Sequence, residues 1–185
     1  MTIADKYRVI LEELRSRKNY IYFSVGLFLF SVIYGVVTPD FDHYAKGMMK
    51  SISAIVVMDK RLLSVIVSIL WKNIFACFMA LFLGVFFALI PIFSLLINGI
   101  MFGVYLPDLS KSFFITIIPH GIFELPAYFI SMSYGIWLGL WPWQSNRLHN
   151  IVFRAKKSVL IFINIVFPLL VIAAIIEGVY ITWKA

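Results

Sequence analysis

His120 and Glu124 stand four residues apart in the run Pro119-His120-Gly121-Ile122-Phe123-Glu124-Leu125-Pro126-Ala127. On a helix that spacing puts both side chains on one face, about 40° apart and one turn along the axis. Glu177 is a third ionisable group set in an apolar stretch, and Asn98 and Asn164 are neutral polar companions. An imidazole and two carboxyls in apolar surroundings have three ways to be satisfied. They can form a structural lock, with a carboxyl protonated or a charged histidine neutralising a carboxylate. They can take up and pass a proton or an ion. Or they can hold a divalent metal, since histidine and glutamate are zinc-ligand types. The H-x-x-x-E spacing is not the H-E-x-x-H of zinc proteases, and no second histidine lies nearby. A metal at His120, Glu124 and Glu177 is the one cofactor these residues suggest; otherwise none is implied. No catalytic nucleophile accompanies them, which weighs against an enzyme.

The elements that must carry these groups follow from composition. Of the 185 residues 62% are hydrophobic and only 14% charged, with a mean hydropathy of +0.96. Soluble domains run near 45–50% apolar and about 25% charged. Too little polar surface remains for a water-soluble globule, so an all-α, polytopic integral membrane protein is expected. In that setting a charged side chain at a helix centre costs about 2.5–3.5 kcal/mol, so His120, Glu124 and Glu177 need partners. The net charge of +7 comes from basic residues at segment ends. Anionic lipid headgroups are therefore the expected partners, and nucleic acid is not. The single cysteine, Cys77, lies in an apolar run and allows neither an intramolecular disulfide nor a cysteine-rich metal site.

Residues 1–19 are polar with one short apolar face from Val9, Ile10, Leu11 and Leu14, and read as an amphipathic helix on the cytoplasmic interface. Residues 20–185 read as one transmembrane domain with five spans at about 20–37, 73–90, 92–106, 119–140 and 158–182. The first run ends in Val-Val-Thr-Pro-Asp without a small-residue cleavage site, so it reads as an uncleaved span. Residues 38–61 carry Met48, Ile52, Ile55 and Val56 at helical spacing and predict a helix lying on the membrane. An interfacial turn is expected before Trp71, a break at Pro91, and a short re-entrant or interfacial helix at 107–118. Trp137, Trp141 and Trp143 read as an aromatic belt closing the fourth span.

An odd number of spans puts the termini on opposite sides. With the N-terminus cytoplasmic and the C-terminus outside, nine basic residues lie inside and seven outside. Glu124 then lies about 7 Å below the outer boundary, five residues past Pro119, and Glu177 lies about 7 Å below it, five residues before Thr182. The three ionisable groups are thus expected at one depth. Asn164 is about 20 Å lower and outside the cluster.

Pro119 and Pro126 flank this face. Pro126 cannot donate to the carbonyl of Ile122, which leaves an acceptor beside Glu124 and suggests either a broken helix at a site or a packing kink. Gly99-x-x-x-Gly103 and Gly135-x-x-x-Gly139 offer smooth stripes for close helix approach. Internal packing of spans three and four is the expected use; a homodimer seam is the alternative.

The nine-residue run from Pro119 to Ala127 closely resembles the signature of the stage II sporulation protein M family of prokaryotic membrane proteins. Leu96-Ile97-Asn98-Gly99-Ile100-Met101-Phe102-Gly103 resembles that family's Asn-Gly…Gly stretch. Asn73 sits where an asparagine often opens the preceding helix, and Glu177 fits the acidic position of the last span. The resemblance covers residues 65–182. It implies a polytopic scaffold or accessory protein with protein partners in the membrane, as the family's namesake holds cell-wall-degrading partners at the septum during engulfment. A proton- or ion-coupled transporter, channel or lipid translocase using the His/Glu cluster is the alternative, and an intramembrane metal-dependent hydrolase the second.

Overall fold

The structure is a computed structural model that describes residues 3–38, 61–108, 111–143 and 147–184. Every regular element among the described residues is helical. A chain in lipid must satisfy its backbone groups internally, and helices do so within one segment. Helix α1 covers Ile3–Ser16 and α2 covers Lys18–Val37. Helix α3 is Leu62–Phe82, α4 is Leu89–Tyr105 and α5 is Lys111–Gly139. Helix α6, Arg147–Ile161, runs through a π-helical stretch, Phe162–Val166, into α7, Phe167–Lys184. Pro168 follows that stretch; it cannot donate to the carbonyl of Asn164, and the widened turn accommodates the missing bond.

Lys18–Val37, Leu62–Val85 and His149–Trp183 are long and apolar enough to cross a membrane, and Leu89–Tyr105 is a shorter apolar helix. Large apolar side chains stand outward along them, with Leu63 at 73% and Phe30 at 65% exposure. Each would gain about 1.5–3 kcal/mol by leaving water; an acyl chain provides that environment. The protein is a helical membrane bundle.

Several boundaries differ from the sequence reading. Helix α3 runs unbroken through Trp71, Lys72 and Asn73, so the expected turn before Trp71 is absent. The chain reverses later, over Phe86–Ala88, where Phe87 and Ala88 adopt left-handed backbone with φ of 56° and 61°. Pro91 falls in the first turn of α4, where its missing N–H has no intrahelical acceptor to lose. Among the described residues, 107–118 holds no helix of its own beyond the short 3-10 turn Leu106–Asp108, because α5 begins at Lys111 and continues across Pro119 and Pro126. The polar segment after Trp143 is helical from Arg147. The surface helix expected at 38–61 falls on residues 39–60, outside the described residues.

Helix α5 is the centre of the bundle. Residues 131–139 are all buried, and α5 packs against α2, α3, α4 and α7. Tyr134, Trp137 and Ala127 join one apolar core with Cys77, Leu81, Phe162 and Leu170. Met132 and Ile136 join another with Phe28, Val32 and Leu95. Both glycine stripes serve internal approach. A methyl built on Gly99 would come within 2.6 Å of Ser31 and 2.7 Å of the Phe28 carbonyl oxygen. The partner of that stripe is therefore α2, not the fourth span. Gly139 approaches Gly84 and Ala88, while Gly135 lies against Ala80 and Leu81. The start of the reversal is also tied from outside: Trp141 Nε1 donates to the carbonyl of Val85 at 3.0 Å.

Candidate functional site

Helix α5 presents His120 and Glu124 one turn apart, and antiparallel α7 brings Glu177 up to them. One donor atom from each residue lies within 4.8 Å of the other two. His120 Nε2 and Glu124 Oε2 are 4.0 Å apart, with side-chain exposures of 13% and 35%. All three residues are half-buried. The rotation of α7 that aims Glu177 at α5 is set by its neighbour. Gly178 has no side chain and lets the helix close on Ile66 of α3.

A cavity of about 220 Å³ lies at this end of the bundle, lined by Pro119, His120, Ile176, Val179, Tyr180 and Trp183. Its walls are chiefly apolar, and His120 is the cluster member that borders it. Asn164 stands apart from the cluster and donates to the carbonyl of Leu160, four residues back, at 2.7 Å. Pro119 and Pro126 both sit inside a continuous helix. Pro119 lines the cavity, and Pro126 stands exposed.

The polar face of α5 continues beyond the three ionisable groups. Tyr128, one turn past Glu124, has its hydroxyl 3.1 Å from Ser94 Oγ and 3.3 Å from Asn98 Nδ2, which donates to it. Asn98 also donates to the Ser94 carbonyl at 2.8 Å. Asn98 thus acts as a polar tie between α4 and α5. Tyr128 is a residue the sequence reading missed, although its place four residues after Glu124 on one helical face signals it.

A second polar centre lies at the opposite end of α5. Trp137 is 3% exposed, in the core and not in an interfacial belt. The Arg17 guanidinium lies 4.1 Å from its ring centroid and that of Arg154 5.0 Å. Arg154 is itself 3% exposed and donates to the carbonyl of Trp137. Glu13 of α1 pairs with Lys157 at 3.1 Å and with Arg17 at 3.4 Å. These contacts fasten the amphipathic first helix to α6. The contacts of Arg17 with Trp137 and of Glu13 with Lys157 join residues more than a hundred positions apart, and no local pattern announces them.

The family model described as stage II sporulation protein M matches residues 24–182. An uncharacterized protein of Methanocaldococcus jannaschii is 25% identical over 198 aligned positions, spanning 98% of this chain and 89% of that relative. No solved structure matches the chain significantly.

Proposed function

The chain belongs to the stage II sporulation protein M family, and on that premise we propose that it is an integral membrane scaffold or accessory protein whose His/Glu cluster locks α7 against α5. The observation that carries the reading is the convergence of His120, Glu124 and Glu177 within 4.8 Å at a helix–helix crossing. Polar groups in apolar surroundings are tolerated when they satisfy one another, and doing so fixes the register of the helices that bear them. A rigid bundle with an apolar rim suits a protein that holds partners in the membrane. In this reading the N-terminus is cytoplasmic and the C-terminus outside. Exposed Arg15, Lys18 and Lys156 then meet anionic headgroups at the end where Glu13 ties α1 to Lys157.

The test combines stability with flux. His120→Ala, Glu124→Gln and Glu177→Gln are each expected to lower stability in detergent by about 1–3 kcal/mol, the cost of leaving a partner unsatisfied. The wild type in proteoliposomes is expected to pass neither protons nor small cations. Unchanged melting in all three variants refutes the lock. The cavity beside His120 favours proton- or ion-coupled transport as the second reading, and a flux abolished by Glu124→Gln and Glu177→Gln would establish it instead.

A further inference from the structure

We propose that His120, Glu124 and Glu177 bind a first-row divalent cation at the α5–α7 crossing, with the cavity beside His120 providing the position for an exogenous fourth ligand. The inference rests on the lock reading and deepens it, making the metal the element that closes the lock.

Three observations lead there. The donor set is one imidazole and two carboxylates, drawn from two helices and brought within 4.8 Å. Nitrogen and oxygen donors of this kind suit zinc and its first-row neighbours. Bonds of about 2.0–2.2 Å in a tetrahedron place neighbouring donors about 3.3–3.6 Å apart. The 4.0 Å from His120 Nε2 to Glu124 Oε2 exceeds that spacing by less than an ångström, a gap of the size that side-chain rotation covers. Charge supplies the second argument. Two carboxylates and a neutral imidazole carry −2, which a divalent cation cancels, and a neutral centre is the least costly one in a membrane. The third is space. A cluster serving only as a lock should be close-packed, yet about 220 Å³ lies open against His120. A water needs only about 10–15 Å³ of such space, so an exogenous ligand approaching past His120 has room there.

The decisive experiment uses the full chain, purified in detergent, stripped with a chelator and titrated with Co²⁺ and Zn²⁺. The wild type is expected to take up one Co²⁺ per chain with visible d–d absorption, to release it to Zn²⁺, and to melt higher when loaded. His120→Asn and Glu177→Gln are expected to abolish the bands and weaken binding at least about 100-fold, at or beyond the range seen when only a supporting residue is lost. X-ray absorption of the zinc-loaded wild type reads the site without any variant. One imidazole with oxygen ligands, and no sulfur from Cys77, is expected. No stoichiometric uptake by the wild type, or uptake that survives both substitutions, overturns the metal site. If the variants still melt low while the wild type takes no metal, the lock stands and the cation falls. If they also melt as the wild type does, both readings fall.

Discussion

Gly139→Ala should destabilise the bundle although alanine is the better helix former. A methyl at this position would lie 2.6 Å from the Cα of Ala88 and would also meet the Ala88 nitrogen and the Gly84 carbonyl oxygen. These are backbone atoms, so no rotamer change relieves the overlap. The turn that carries them has little freedom, since Phe87 and Ala88 already hold φ of 56° and 61° and such residues cost about 1–2 kcal/mol each. Overpacking a fixed site costs about 1–3 kcal/mol, against a gain of about 0.5–1 kcal/mol from replacing glycine in a helix. The net expectation is a loss of about 1–2 kcal/mol. At about 2–4 °C per kcal/mol for a chain of this size, the melting temperature falls by about 2–8 °C. Gly26→Ala is the control, because nothing lies within 4 Å of its added methyl and the same helix gain should raise melting by about 1–4 °C. The assay is built into the chain: Cys77 is the single cysteine and is 4% exposed, so a thiol-reactive dye reports its release on unfolding. Gly139→Ala melting at or above the wild type would refute the close-contact argument.

The tie between α4 and α5 gives a second expectation. Tyr128→Phe and Asn98→Ala should each cost about 1 kcal/mol, the net worth of a hydrogen bond, and the double variant should cost clearly less than their sum because they share a partner; strict additivity in the dye assay counts against the network. At the other end, Glu13→Gln removes the carboxylate shared by Lys157 and Arg17. With Glu13 10% and Lys157 28% exposed, about 1 kcal/mol is expected, together with faster amide exchange in Ile3–Ser16 and unchanged exchange in α7. Equal exchange in both helices would mean that α1 is held by other contacts.

How far the sequence disclosed this arrangement depends on the range of each signal. His120 and Glu124 obey the helical period, so their common face was legible. Glu177 was legible through depth, because a residue count from the end of an apolar run sets height in a bilayer. Boundaries were less so. Lys72 and Asn73 interrupt an apolar stretch and suggested a turn, but Lys72 stands exposed on a continuous helix, as a long basic side chain can when its stem lies along apolar surface. The polar stretch at 107–118 likewise concealed the start of α5. Trp137 illustrates what no window could give. Its position near a span end suggested an interfacial role, while Arg17 from the N-terminal region and Arg154 from the next helix close over its ring. The glycine stripes were recognisable as contact surfaces, but their partners were not, since α2 meets Gly99 only through the tertiary fold.

The cluster therefore depends on the rotation of α7 as much as on the identity of its three residues. Successive residues on a helix differ by about 100°. Glu177 and Gly178 consequently face different neighbours, the first α5 and the second Ile66 of α3. A turn of α7 by one residue would carry Glu177 off the His120 face and drive a side chain into α3. The glycine that permits close packing on one side thus aims the carboxylate on the other. At the far end, the same continuous rod is held by Arg154 on the Trp137 carbonyl and by Lys157 on Glu13. Two polar fastenings near opposite ends of α5 resist both sliding and rotation, whereas apolar packing alone would leave neighbouring registers close in energy, because lipid tails are as apolar as the helix faces they would replace.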